Sequence, residues 1–180
     1  MTNHPLPSAG TWSIDPAHTV VGFAGRHLVA AKVRGSFKVF SGDITIGDTP
    51  ADSSVSVTID AGSIDTGVDD RDAHLRSPDF LDIEEHPTLV FTSTAVRQEG
   101  NDFEVDGDLT IRGKTNPVTL AVSYLGLVTD PWGNEKSLFS AHTKIDREEW
   151  GLTWNAALEA GGWLVGKTVD IELEIQAAAA

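Results

Sequence analysis

Apolar and polar residues alternate one by one along much of this 180-residue chain, and this alternation constrains the fold more than any other feature. The clearest stretch covers residues 53–61, where Val55, Val57 and Ile59 alternate with serine, threonine and aspartate. Successive side chains of a β-strand point to opposite faces of the sheet, so such a stretch has one buried face and one face in water. The sequence therefore predicts a mostly antiparallel β-structure.

Turn-forming residues separate further stretches of this kind along the chain. The predicted strands cover residues 10–15, 19–27, 36–46, 53–61, 88–97, 103–111, 118–124, 138–145 and 168–175. A change of phase near Ser41 and Gly42 predicts a bend or bulge within one of them. Alternation with one dry face suits an antiparallel barrel or a sandwich, and the pattern alone leaves both open.

One segment, residues 65–91, departs from the alternation and has a short helical pattern. Asp69 or Asp70 is placed to cap the first helical turn, and Leu75 supplies an apolar anchor. Pro78 is suited to begin a second turn, because proline is tolerated at the first helical position. We therefore expect a helical segment that interrupts an otherwise antiparallel sheet.

The length and composition predict a single domain. With 180 residues, 40% of them hydrophobic, the chain can bury a sizeable core but is short for two domains. The polar, proline-containing residues 1–9 predict a disordered N-terminal segment, residues 10–176 form the expected folded domain, and the alanine run at residues 177–180 predicts a C-terminal tail.

The charge and the hydropathy exclude several kinds of partner. The formal charge is −14, which repels nucleic-acid phosphates and anionic lipid surfaces. No apolar run approaches the roughly eighteen residues of a membrane span, and the N-terminus lacks the basic start and apolar core of a signal peptide. We therefore expect an acidic cytoplasmic protein with no nucleic-acid partner and no stable membrane insertion. The absence of cysteine excludes disulfides and thiolate chemistry.

Short motifs spread over residues 10–175 closely resemble the signature of the YceI-like family. They are Trp12-x-Ile14-Asp15-x-x-His18, Phe23, His27-Leu28, Gly35-x-Phe37, Arg71-Asp72-x-His74-Leu75, Ser77-x-Asp79-Phe80, His86-Pro87, Phe91, Leu109-Thr110-Ile111-Arg112-Gly113, Asp146-Arg147 and Gly151-Leu152. Each motif is short and weakly specific by itself, but their occurrence in the right order over one domain is hard to obtain by chance.

The resemblance implies an all-β fold, a single antiparallel lipocalin-like β-barrel of about eight strands with a short helical segment near one mouth. It also implies a largely apolar tunnel that binds a polyisoprenoid lipid, such as a quinone or a polyprenyl compound. A barrel of about eight strands either fills with side chains or holds one slender ligand. The candidate ligand-binding residues are Phe23, His27, Phe37, Val57, His74, Leu75, Phe80, Phe91, Leu109, Leu120, Phe139 and Trp154.

Histidines, charged pairs and tryptophans are the remaining candidates for chemistry. No histidine stands at a spacing typical of metal ligands, so we predict neither a metal nor another cofactor. His27 and His74 either make structural hydrogen bonds or contact the head group of a ligand. The pairs Arg71-Asp72 and Asp146-Arg147 are interpreted as ion pairs and caps, and the three tryptophans of residues 150–163 either wall a pocket or seal a barrel end.

Three functions are compatible with these features. The first is a non-catalytic protein that binds, carries or sequesters an isoprenoid or similar long-chain lipid. The alternative is a cyclase- or isomerase-like enzyme that acts on a long apolar metabolite in the same cavity, with His27, His74 or a nearby acid as proton donor. An ionisable residue deep in the barrel would favour the enzyme. The third is a filled barrel that serves as a protein-interaction module. A homodimer is compatible with each of them.

The helical segment is the expected moving part of such a barrel. Residues 69–81 are predicted to form a lid over one mouth, because a helix of two or three turns has little stability of its own. If this segment is instead a fixed cap, the entrance is expected at the end that contains residues 150–163.

Overall fold

The computed structural model describes residues 6–180, and they form one β-sheet that closes on itself. The strands are β1 (Gly10–Ile14), β2 (Val20–His27), β3 (Ala31–Phe37), β4 (Phe40–Ile46), β5 (Ser54–Asp60), β6 (Ile64–Asp65), β7 (Thr88–Glu99), β8 (Asp102–Ile111), β9 (Lys114–Thr129), β10 (Glu135–Asp146) and β11 (Val165–Ala179). A single α-helix of this part of the chain, α1 (Asp69–Arg76), follows β6. Short 3₁₀ turns cover Pro50–Asp52, Ala61–Ser63 and Arg147–Trp150.

The sheet is an eight-stranded antiparallel barrel. β1 and β2, β3 and β4, and β5 and β6 are each two parts of one interrupted strand, because β4 pairs with β1 and β5 while β3 pairs with β2 and β6. The chain then runs up and down from β7 to β11. β11 closes the barrel by pairing with both β2 and β1. The predicted all-β, lipocalin-like barrel is confirmed.

The bend between β3 and β4 lies at Lys38 and Val39 and not at the predicted Ser41 and Gly42. The chain changes partners at this point, from β2 on one side of the bend to β1 on the other. Gly42 lies within β4, where a Cβ would come within 2.5 Å of the Ser56 carbonyl oxygen. The glycine therefore permits a close approach of two strands and does not mark the bend.

The helical segment is shorter than predicted. α1 ends at Arg76, and residues 78–81 form a hydrogen-bonded turn instead of further helix. The residue before the first turn is Val68, whose side chain makes no cap, so neither Asp69 nor Asp70 is the N-cap. Both aspartates lie inside the first turn, where their charges stabilise the positive end of the helix dipole.

The predicted C-terminal tail is part of the barrel. Residues 177–179 belong to β11, and Ala177 is fully buried opposite Ile14 of β1. A run of alanines has no apolar and polar alternation, so periodicity does not identify it as a strand.

Of the predicted N-terminal disordered segment, residues 1–5 lie outside the described part of the chain. Pro7 is buried, and the Ser8 carbonyl accepts a hydrogen bond from Trp12 Nε1 at 3.0 Å.

The barrel is filled at the end that contains Trp12. Trp12 is 1% exposed, and Ser137 and Ala177 are fully buried. Apolar residues of β1, β4, β5, β7, β8 and β11 join Trp12 in one core cluster. The helix α1 lies at the opposite end of the barrel.

Candidate ligand-binding site

A cavity of about 380 Å³ occupies the barrel between Ile14 and α1. Its volume lies in the range of small-molecule sites, about 300–1,000 Å³. The predicted contact residues that line it are Phe23, His27, Phe37, Val57, His74, Leu75, Phe80, Phe91, Leu109, Leu120 and Trp154. The barrel is therefore hollow, which does not agree with the hypothesis of a filled interaction module.

Phe139 is the predicted contact residue that lies outside the cavity lining. Its ring packs against Tyr124 at a centroid distance of 5.3 Å and against the core cluster. The pairing of β10 with β9 shifts register between Leu138 and Phe139. Alternation along a strand identifies the inward face, but it does not say how far along the barrel axis a residue lies.

Two aromatic rings of the wall depend on glycines of the neighbouring strands. A Cβ at Gly35 would lie 2.5 Å from Cζ of Phe23, and a Cβ at Gly107 would collide with the ring of Phe91. The rings therefore lie flat across the glycines, and Phe37 packs beside Phe23 at a centroid distance of 5.7 Å. The motif Gly35-x-Phe37 thus shapes the cavity wall.

An aromatic cluster joins α1 to the segment that follows the Arg147–Trp150 turn. The His74 ring contacts Trp154 edge-on at 4.6 Å and Phe80 at 5.1 Å, and its Nε2 lies 2.9 Å from Asp79 Oδ2. The helix and the tryptophan-rich segment therefore stand at the same mouth, and not at opposite ends of the barrel as expected.

The three tryptophans of this segment have different environments. Trp150 is 1% exposed and donates a hydrogen bond from Nε1 to the Leu109 carbonyl at 2.8 Å. Trp154 lines the cavity, whereas Trp163 is 59% exposed. One tryptophan therefore seals the barrel, one walls the pocket and one lies on the surface.

Thr66 connects the pair Arg71-Asp72, which does not form a direct ion pair. Asp72 is buried and accepts hydrogen bonds from the Thr66 backbone amide at 2.8 Å and from Thr66 Oγ1 at 2.6 Å. Arg71 donates from Nε to Thr66 Oγ1 at 2.7 Å. Burial acts to raise the pKa of Asp72, but the Thr66 hydrogen bonds and the charges of Arg76 and Arg71 together hold it below its ordinary value.

Arg147 holds the other half of the mouth through backbone carbonyls. It is 3% exposed and donates to the carbonyls of Gly166 at 2.8 Å and Trp154 at 3.0 Å, and also to that of Leu152. Burial lowers its pKa, and the nearby acids Glu148 and Asp146 partly offset this effect. The predicted cap is confirmed for Asp146, which accepts from the Glu148 amide, but Arg147 makes no hydrogen bond to a carboxylate in the described chain.

The ionisable side chains of the cavity lining are all arginines or histidines. They are Arg26, His27, Arg71, His74 and Arg147. No aspartate or glutamate of residues 6–180 lines the cavity, although the chain has 27 of them. The deeper wall is aliphatic and aromatic. Sequence patterns missed Arg26 and assigned Arg71 and Arg147 only structural roles, because guanidinium groups at strand and helix ends give no periodic signal.

No helix of residues 6–180 is long and apolar enough to span a bilayer. No three histidine, cysteine, aspartate or glutamate side chains gather in that region as a metal-binding group.

A sequence profile of the YceI-like domain matches residues 12–177. The chain belongs to the YceI-like family. Among its relatives, Protein YceI of an Escherichia coli strain is 41% identical over 136 residues, which are 75% of this chain and 71% of the relative.

Solved structures share the YceI-like barrel. BcnA of Burkholderia cenocepacia superposes with a TM-score of 0.77 at 25% identity, over 91% of this chain and 98% of the other. A domain of Saccharophagus degradans described as polyisoprenoid binding superposes with a TM-score of 0.69 at 16% identity, over 96% and 100% of the two chains. At this level of identity, the second comparison shows the common fold alone.

The YceI-like motifs divide into two groups in this structure. His27, His74 and Phe91 line the cavity, whereas Trp12 fills the opposite end of the barrel. Membership of the family therefore accounts for the barrel architecture, whereas the chemistry of the cavity follows from the residues that line it.

Proposed function

We propose that this protein binds, and thereby carries or sequesters, a lipid with a long apolar chain, such as an isoprenoid quinone or a polyprenyl compound. The observation that carries the proposal is the hollow apolar barrel with a basic mouth. Each methylene group that moves from water into such a cavity contributes about 0.8 kcal/mol. Ordering a flexible chain opposes part of this gain, so we expect tight binding with loose specificity for chain length.

The basic mouth supports a ligand with an electron-rich head group. Arg71 and Arg26 line the mouth end of the cavity, and guanidinium groups donate hydrogen bonds to carbonyl, carboxylate or phosphate oxygens. A chain buried head-outward would place its polar end among these donors. Quinone carbonyls and prenyl phosphates both meet this requirement.

The enzyme alternative requires an ionisable group at a defined point inside the tunnel. In the described chain, the ionisable lining residues stand near the mouth, and His74 and Arg147 are already engaged with Asp79 and with backbone carbonyls. No carboxylate among residues 6–180 lines the cavity. This distribution favours binding over acid–base catalysis.

Filling the cavity tests the proposal. Leu120 lines it, and Leu120→Trp should occupy much of the space of the lipid chain with a side chain that is apolar except for one indole N–H. We expect the affinity for a polyprenyl lipid in detergent solution to fall by about tenfold or more, and mass spectrometry of organic extracts to find less lipid bound to the purified variant.

Ala121→Trp is the matched control, because Ala121 is exposed on the outer face of the same strand. It should bind lipid as the wild-type protein does. His74→Ala should reduce binding less than Leu120→Trp. Wild-type affinity in a folded Leu120→Trp variant would contradict binding inside the barrel.

A further inference from the structure

Three exposed apolar residues form a rim beside the cavity mouth. Leu28 is 52% exposed, Val29 is 70% exposed and Trp163 is 59% exposed. We call these three residues the lip. Their chain neighbours His27 and Leu164 line the cavity, and the Leu28 amide donates to the Leu164 carbonyl at 2.8 Å. The lip therefore continues the apolar surface of the cavity to the outside.

Two of the three lip residues have an unfavourable backbone conformation although their side chains are exposed. Leu28 and Val29 have φ angles of 51° and 66°, a region that favours glycine or asparagine and disfavours branched side chains. The Ala30 amide donates to the Leu28 carbonyl at 2.7 Å, and Arg26 Nη1 donates to the Ala30 carbonyl at 3.1 Å. Because both side chains are exposed, burial of apolar surface does not offset the free-energy cost of this conformation.

The charges around the lip differ from those of the whole chain. Arg26 and Lys32 are register partners across the β2–β3 hairpin and flank its tip, in a chain with a formal charge of −14. Glu159 is the carboxylate of the neighbouring turn that precedes Trp163. An apolar tip with a tryptophan and flanking cations has the composition of a surface that lies in the head-group layer of a bilayer.

We propose that the lip inserts into the interfacial layer of a phospholipid bilayer and that the ligand passes between bilayer and cavity at this point. This inference rests on the proposed function. A lipid chain resides in the bilayer and crosses water only at a large cost, so contact between the lip and the membrane provides a continuous apolar path. The overall negative charge makes the contact local and transient instead of extending over a whole face.

A matched pair of triple variants tests the lip. In the lip variant, Leu28→Asn and Val29→Asn introduce a residue that tolerates positive φ, and Trp163→Gln removes the ring. The control variant carries Leu125→Asn, Val128→Asn and Trp132→Gln, the same three residue types, exposed at the opposite end of the barrel.

Two measurements separate docking from binding. The first is the rate at which the protein takes up a fluorescent polyprenyl lipid from phosphatidylcholine vesicles, and the second is its affinity for the same lipid in detergent. We expect the lip variant to lose about tenfold or more of the vesicle rate, with unchanged affinity in detergent. The control variant should match the wild-type protein in both.

The outcomes distinguish the two proposals. If the wild-type protein does not bind the lipid in detergent, the proposed function fails and the lip inference with it. If it binds but the lip variant keeps the wild-type vesicle rate, the lip inference is overturned and the function stands. If the wild-type protein forms a dimer that only the lip variant loses, and vesicle uptake is unaffected, the lip is a subunit interface and bilayer docking is overturned.

Discussion

Asp72 shows how one buried carboxylate ties α1 to the barrel. It accepts two hydrogen bonds from Thr66, whose hydroxyl also accepts one from Arg71. A charged acceptor with two donors is stabilised in its ionised form, which agrees with the lowered pKa of Asp72. The stability from this group is therefore fully present above the unfolded value of about 3.8 and is lost as the pH falls through the lower folded pKa.

Asp72→Asn should lower the free energy of unfolding at pH 7 by about 1.5–3 kcal/mol, since it removes a charged acceptor from a buried network. The difference from the wild-type protein should narrow as the pH falls from 3.8 through the lower folded pKa, because Asp72 takes up a proton first in the unfolded chain and then in the folded protein. Urea unfolding at a series of pH values measures both effects. Asp70→Asn is the control, since Asp70 is exposed in the same helix and should change stability little. If the difference in unfolding free energy between wild type and Asp72→Asn were the same at all pH values, Asp72 would not be the ionised acceptor of this network.

At the scale of the element, hydrogen bonds hold both α1 and the turn that follows it, and they limit how far this segment can open as a lid. Arg76 donates to the carbonyls of Gly62 and Ile64 at 2.9 Å, and Arg112 donates to that of Phe80 at 2.8 Å. Leu75 lines the cavity and is the predicted apolar anchor of the helix. A helix of eight residues depends on such contacts for its order.

Bound lipid should slow amide hydrogen exchange in α1 by about tenfold, because contact with Leu75 adds to the free energy of local opening. The comparison is between delipidated protein and protein loaded with a polyprenyl lipid. β8 serves as the internal reference, since its exchange should not depend on the ligand to the same extent. Equal exchange of α1 in both forms, with binding confirmed, would make the helix a fixed cap.

At the scale of the whole molecule, closure of the barrel depends on a seam between the first strand, β1, and the last strand, β11. Trp12, Ser13 and Ile14 of β1 pair with residues 177–179 of β11. The Ala180 amide also donates to the Thr11 carbonyl at 2.9 Å. This seam encloses the filled end of the barrel beside Trp12, so its loss would expose an apolar core and open a sheet edge.

Deletion of residues 177–180 should lower the free energy of unfolding by about 2–4 kcal/mol, because it removes several ladder hydrogen bonds and a buried side chain. Chemical denaturation measures the change. Deletion of Ala180 alone removes one hydrogen bond and should cost about 1 kcal/mol or less. Equal stability of the longer deletion and the wild-type protein would mean that these residues are a tail after all.

Local sequence patterns account for most of the strands, whereas contacts between distant residues set the space that the barrel encloses. Period-two alternation is a property of neighbouring residues, so it identified most strands and the apolar wall that includes Phe91 and Leu109. The choice of a barrel came from the family motifs, because alternation is equally compatible with a sandwich.

Features that depend on distant contacts were predicted less well. The seam through Ala177 and the position of Phe139 outside the cavity follow from strand register, to which residues far apart in the chain contribute. The carbonyl partners of Arg147 come from a loop and a strand that only folding brings together. The common mouth of α1 and Trp154 has the same origin, since the closure of the barrel, and no local pattern, places the two side by side.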